Sequence, residues 1–133
     1  IGIAQPSNTN ALFTTATDLG VRYLLDDDCR VADRPRVEAF VREFVASVDL
    51  VHLTVDLDVL PAAVAPGVSA PAAYGVPLEI VQFTCDLVAH SGRLLVAEIA
   101  ELNPSFDIDG RTTRTAARLV HRILTIAAAR ARA

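Results

Sequence analysis

Segments typical of β-strands and segments typical of α-helices alternate along this chain, and no other feature restricts its fold as strongly. Parallel strands need a long crossover, usually a helix, between one strand and the next, so the alternation predicts a parallel sheet. The sequence predicts strands at residues 1–4, 21–25, 50–58 and 93–102. It predicts helices at residues 9–19, 34–47, 78–90 and 111–130. The predicted fold class is therefore α/β with a mainly parallel sheet.

The composition is typical of one globular domain. At 133 residues, with 52% hydrophobic and 21% charged residues, the chain is long and apolar enough for a core. The net charge is −4 and the twelve basic residues, all arginine, are spread along the chain, so no nucleic-acid surface is expected. Apolar runs fall short of the roughly 18 to 20 residues that a membrane span needs. We expect a cytoplasmic protein without a nucleic-acid or membrane partner.

The start of the sequence bears on the extent of the chain. The chain contains no methionine and begins at Ile1 inside a predicted strand. We therefore expect residues 1–133 to be the later portion of a longer protein.

Cys29 and Cys85 lie far apart without a Cys-x-x-Cys pattern, which favours free thiols over a disulfide.

Two aspartates end the third predicted strand. Side chains alternate along a strand, so Asp56 and Asp58 are expected on one face, roughly 7 Å apart at Cα. Burying two anions at the end of an apolar strand is costly unless a cation meets them. Paired carboxylates can each bind one metal ion or share two, and oxygen ligands favour Mg, Mn or Ca. The alternative interpretation is that either aspartate merely begins a turn.

Further acidic residues follow other predicted strands. In open α/β sheets, ligands gather beyond the carboxyl ends of the strands, where Glu101 and residues 26–28 are expected. Glu101, beside a rigid Asn-Pro pair, must face either solvent or a cationic ligand. Residues 26–28 are interpreted as a solvated acidic loop. The histidines are interpreted as structural, since His52, for example, lies about 13 Å from Asp56 along the strand.

Other functional classes match parts of this pattern. A receiver domain has an acidic cluster and a later aspartate before a Leu-Pro turn, but its chemistry needs a lysine, and this chain has none. Nucleotide-sugar transferases use Asp-x-Asp to hold manganese, but without the flanking residues found here. Ser69 has no neighbouring base that would indicate a serine hydrolase. A metal-free α/β assembly domain, whose acids only solubilise strand ends, stays open.

Two ordered motifs carry a family resemblance over essentially the whole chain. The segment 52–71, with Asp-Leu-Asp-Val-Leu-Pro-Ala-Ala followed by Gly-Val-Ser-Ala-Pro, resembles the second metal motif of the arginase/agmatinase ureohydrolase family. The residues of this segment are most similar to those of the formimidoylglutamase branch. The segment 98–104, followed by Thr112 and Thr113, resembles the closing Glu-x-Asn-Pro motif of the family.

The resemblance implies a three-layer αβα fold, arginase-like, with residues 1–133 as its C-terminal part. It implies a pair of manganese ions, with Asp56 bridging both ions and Asp58 bound to one. Glu101 would hold the cationic, amidine-like head of the substrate, and Asn8 is a candidate for binding its glutamate end. The metal pair would activate a water that hydrolyses N-formimidoyl-L-glutamate to L-glutamate and formamide, a step of histidine degradation.

The remaining metal ligands of the family are a histidine and an Asp-x-His-x-Asp cluster, which lie upstream of the residues present here. The isolated chain is therefore expected to be inactive and to bind manganese weakly. Agmatinase-like or guanidino-acid specificity stays open as an alternative. Because family members commonly form trimers or hexamers, a homo-oligomer is expected.

Overall fold

In the computed structural model, which describes residues 1–130 and 132, four α-helices pack with a two-stranded parallel sheet. The helices are α1 (Asn10–Asp18), α2 (Arg34–Ala46), α3 (Leu78–His90) and α4 (Arg111–Arg130). The strands are β1 (Val51–Asp56) and β2 (Leu94–Ala100). All four predicted helices and two of the four predicted strands are thus present, and α3 and α4 have the predicted bounds.

The sheet brings the ends of its two strands to one edge. β1 and β2 run parallel, and α3 lies in the crossover that joins them. The register pairs Thr54 with Glu98 and Asp56 with Ala100. Because parallel strands end at the same edge of a sheet, the residues that follow β1 and β2 meet there.

The helices bury apolar side chains at helical spacing. In α2 the buried residues are Val37, Val41 and Val45, one at every fourth position. α3 packs against both α2 and α4, and α4 buries one face toward it. Leu119 of α4 and Leu57, just after β1, are both 0% exposed. Each such leucine stabilises the fold by about 1.5–3 kcal/mol relative to an exposed one.

Residues 1–4 and 21–25 do not form the two strands predicted for them. Ile3 and Leu25 form a single parallel bridge. The N–H of Asp26 donates a 3.1 Å hydrogen bond to the carbonyl of Ile3, and the chain then leaves the extended conformation. A 3-10 turn follows each of the two segments directly and ends their pairing. These turns are Gln5–Ser7 and Asp26–Asp28.

β1 ends two residues earlier than predicted. The carboxylate of Asp56 accepts a hydrogen bond from the N–H of Asp58 at 3.4 Å and begins a 3-10 turn, Leu57–Val59. The prediction that Asp58 lies on the strand, on the same face as Asp56, is therefore wrong. An aspartate side chain readily accepts from the backbone two residues on, and this local bond replaces the next strand pair.

Other helix and strand ends differ from the prediction by only one or two residues. α1 begins after Thr9, whose hydroxyl accepts from the N–H of Leu12 at 3.4 Å and caps the helix. α2 ends one residue early, at Ala46. β2 is shorter than the predicted 93–102 because the backbone of Glu101 leaves the extended conformation.

Both cysteines are free, as predicted, and both are buried. Burial raises the pKa of the Cys85 thiol to about 12. A thiol that stays protonated in an apolar site is unreactive, so Cys85 is a core residue.

Candidate metal and substrate site

Asp56 and Asp58 lie at the carboxyl end of β1, on either side of the fully buried Leu57. Leu57 anchors the turn in the core, while Asp56 is exposed and Asp58 is half-buried. The pKa of Asp58 is raised to about 6. The largest cause is burial, followed by the charge of Asp56, a hydrogen bond with Asp56 and the charge of Glu101. Asp56 pairs with Ala100 across the sheet, so Glu101, the next residue, lies at the same edge as Asp56 and Asp58.

Glu101 follows β2 directly and has an unusual backbone conformation. Its φ is 67°, in the left-handed region that residues other than glycine seldom adopt. Such conformations persist only where the surroundings hold them, and they cluster at functional sites. The Oε2 atom of Glu101 accepts a hydrogen bond of 2.5 Å from the hydroxyl of Ser69. Sequence reasoning missed this contact, although Ser69 lies in the Gly-Val-Ser-Ala-Pro run that carries the resemblance.

The loop that contains Ser69, residues 60–77, is held against the segment after β2. The N–H of Gly67 donates to the Thr112 hydroxyl at 2.7 Å, and its carbonyl accepts from the N–H of Asn103 at 2.8 Å. A Cβ atom on Gly67 would lie 2.6 Å from the Cβ of Asp107, so only glycine fits without a shift. This close approach brings Ser69 to Glu101.

Asp107 anchors the start of α4 beside the same loop. Its carboxylate accepts from the N–H groups of Thr112 at 2.8 Å and Thr113 at 2.9 Å, and from the Thr113 hydroxyl at 2.7 Å. Burial raises the pKa of Asp107, but the hydrogen bonds from Thr113 and Thr112 outweigh it and lower the pKa to about 2. An acid ahead of a threonine-rich helix start is the sequence signal that predicts this cap.

The donors at the edge of the sheet fit part of a metal site. Asp56 and Asp58 offer carboxylate oxygens, the ligands that hard divalent cations prefer. A cation there would relieve the repulsion between carboxylates that contributes to the raised pKa of Asp58. Among residues 1–130 and 132, no group of three or more His, Cys, Asp or Glu side chains is arranged to hold a metal ion. The nearest histidine along β1, His52, instead faces Glu98, with Nε2 and Oε1 3.4 Å apart.

Asn8 and Asp26 have local partners. The side-chain amide of Asn8 donates to the carbonyl of Ala4 at 2.9 Å, and its role in substrate binding stays a prediction. Asp26 is only 8% exposed, so the interpretation of residues 26–28 as a solvated loop is wrong for its first residue. The Asp26 carboxylate accepts from the N–H of Asp27 at 2.9 Å, which satisfies one of its buried oxygens.

The fold and the site define an α/β protein with carboxylates gathered beyond the carboxyl ends of parallel strands. A family model described as the arginase family matches residues 1–125. The chain belongs to the arginase family.

Individual relatives agree with this assignment. The chain is 73% identical over 125 residues to a formimidoylglutamase of Rhodococcus jostii, an alignment that covers 94% of this chain and 39% of the relative. A crystal structure of formimidoylglutamase from Bacillus subtilis matches 95% of this chain and 40% of its own, with a TM-score of 0.85 at 24% identity. An arginase structure from Bacillus subtilis matches 87% of this chain and 41% of its own, with a TM-score of 0.79 at 25% identity.

These likenesses confirm the resemblance that the motifs predicted and the arginase-like α/β fold. The chain spans about two fifths of the length of the curated relatives it matches, 39% for the R. jostii protein. Within the described part of the chain, the helices are too short or too polar to cross a membrane.

Proposed function

We propose that residues 1–133 are the C-terminal part of a manganese-dependent formimidoylglutamase, which hydrolyses N-formimidoyl-L-glutamate to L-glutamate and formamide in histidine degradation. The observation that carries this proposal is the position of three carboxylates at one edge of the sheet: Asp56 pairs with Ala100, the residue before Glu101, and accepts a hydrogen bond from the N–H of Asp58. These residues stand in a chain that is 73% identical to a protein named formimidoylglutamase.

In the proposed site, each carboxylate has a separate role. Asp56 and Asp58 would be ligands of a pair of manganese ions. A metal pair, once bound, supplies an activated water at neutral pH and stabilises the charge that develops during hydrolysis. Glu101 would accept hydrogen bonds from the cationic amidine-like head of the substrate and orient it toward the metal-binding edge.

Exposed apolar surface on the described residues supports the proposal that this chain is part of a longer protein. Leu95 and Val96 of β2 are 66% and 46% exposed, although a parallel strand is normally covered on both faces. A groove of about 680 Å³ beside β1 has a mainly apolar lining that includes Ile1, Val21 and Phe44. We propose that further chain covers both surfaces and contributes the remaining metal ligands. The 133-residue chain alone would then be inactive, while the parent protein would be a cytoplasmic homo-oligomer.

The test is manganese-dependent release of L-glutamate from N-formimidoyl-L-glutamate by the parent protein, meaning the longer protein that contains this chain. Asp56→Asn should abolish the release and lower the bound manganese. Asp49→Asn is the matched control, because Asp49 is exposed in the loop before β1 and should leave both unchanged.

The outcomes separate the alternatives. A manganese-loaded parent that releases no glutamate but hydrolyses agmatine or a guanidino acid would move the proposal to another ureohydrolase substrate. A parent with neither bound metal nor hydrolytic activity, unaffected by Asp56→Asn, would instead favour a metal-free assembly domain.

A further inference from the structure

The contact between Ser69 and Glu101 joins two segments that are distant in sequence. The Ser69 hydroxyl donates to Glu101 Oε2 at 2.5 Å, although both residues are exposed. A hydrogen bond to an ionised carboxylate is shorter and stronger than a neutral one. An exposed glutamate otherwise samples many rotamers, and fixing it in one of them costs conformational entropy. A hydroxyl at this position therefore restricts a side chain that would otherwise be mobile.

The backbone holds this hydroxyl in place. Gly67 accepts a hydrogen bond from Asn103 at 2.8 Å, so the two segments are fixed to each other at this pair. Ser69 lies two residues after Gly67, and Glu101 lies two residues before Asn103. The buried bond from Gly67 to Thr112, 2.7 Å long, ties the same point to α4. The position of the hydroxyl is thus set by the core and does not depend on the loop alone.

The carboxylate is held as firmly as its donor. The left-handed backbone of Glu101, with φ of 67°, costs free energy that a merely solvent-facing acid does not need. This conformation turns the chain at the end of β2, next to the turn that carries Asp56 and Asp58. Backbone conformation and hydrogen bond together direct one carboxylate oxygen to Ser69 and leave the other, Oε1, for a ligand.

We propose that Ser69 is a positioning residue that fixes the side chain of Glu101 for binding the cationic head of the substrate. This inference rests on the proposed function, because it assigns the free oxygen of Glu101 to that head. Ser69 itself takes no part in bond making or breaking.

The test uses the parent protein with Ser69→Ala, Ser69→Cys and Ser69→Thr. Alanine removes the donor, cysteine keeps the size but donates only weakly, and threonine restores a hydroxyl. We expect alanine and cysteine to lower kcat/KM for N-formimidoyl-L-glutamate about tenfold, mainly through KM, the effect of losing one hydrogen bond to a charged group. Threonine should keep kcat/KM within about twofold of the unmodified protein. Thermal unfolding midpoints should be unchanged in all three.

Ser105→Ala is the matched control, since Ser105 is an exposed serine in the segment after β2 and should leave kcat/KM unchanged. Crystal structures provide a readout that needs no activity: Glu101 should show several side-chain conformations in Ser69→Ala and one in Ser69→Thr. An active parent in which Ser69→Ala matches the unmodified protein, or in which threonine loses as much as alanine, would overturn the inference. If the unmodified parent does not hydrolyse the substrate, the proposed function fails, and a single ordered Glu101 conformation in Ser69→Ala would overturn the positioning role separately.

Discussion

The hydroxyl of Thr112 accepts a 2.7 Å hydrogen bond from the backbone N–H of Gly67, 45 residues earlier in the chain. Thr112 is 0% exposed, so this N–H has no access to water and depends on the hydroxyl. The bond joins the start of α4 to the loop that carries Ser69. It therefore links the stability of the fold to the geometry of the candidate site.

Replacing Thr112 by valine should destabilise the chain while keeping its shape. Thr112→Val leaves the Gly67 N–H unpaired in the interior, and we expect the free energy of unfolding to fall by about 1–3 kcal/mol. Thr112→Ser restores the acceptor and should recover most of the loss. Thr125→Val, at an exposed position of the same helix, is the control. Urea unfolding gives the free energy of unfolding of all three variants. A Thr112→Val protein as stable as wild type would contradict the assignment of this hydrogen bond.

Asp107 should make stability depend on pH. Its pKa in the folded state, about 2, is below the ordinary value of 3.8, so the ionised carboxylate stabilises the fold above pH 3.8. That stabilisation should be lost as the pH falls from 3.8 toward 2. Asp107→Asn should therefore be less stable than wild type at neutral pH, and the difference should shrink in acid. Urea unfolding across this pH range measures the difference, with Asp109→Asn, an exposed change two residues later, as the charge-matched control.

Two leucines of α4 should respond differently to truncation. Leu119 is 0% exposed and lies in the core, so Leu119→Ala should lower the free energy of unfolding by about 2–5 kcal/mol. Leu124 is 61% exposed, and Leu124→Ala should change it by no more than about 0.5 kcal/mol. Thermal or urea unfolding measures both variants. Equal losses of unfolding free energy would mean that the face of α4 that carries Leu119 does not pack against the core.

Manganese binding by the 133-residue chain should be weak, because Asp56 and Asp58 offer only part of a coordination shell. Isothermal titration with manganese should give a shallow curve that Asp58→Asn abolishes. Asp49→Asn, a charge-matched change away from the carboxylates, should leave the curve unaltered. Tight binding of two ions per chain would contradict the expectation that the remaining ligands lie outside these residues.

The candidate site could be predicted from the sequence to a considerable extent. Asp56 ends β1 and Glu101 follows β2, and consecutive parallel strands end at one edge of the sheet, so the alternation of elements predicts that both residues lie at that edge. The sequence also predicted α3 and α4 correctly, with the same first and last residues as in the structure. Apolar spacing and a glycine just past the end of a helix, such as Gly92 after α3 with its φ of 77°, depend only on neighbouring residues.

By itself, the sequence determined the class of fold, the four helices and the placement of Asp56 and Glu101 at the ends of parallel strands. Tertiary structure alone decided that Ile3 and Leu25 form one bridge instead of two full strands, and that Ser69 meets Glu101. It also decided that only glycine fits at position 67, where a Cβ would lie 2.6 Å from the Cβ of Asp107. The physical reason is that local propensity depends on a few adjacent residues. Which distant groups share a hydrogen bond or a close contact depends on how the whole core packs.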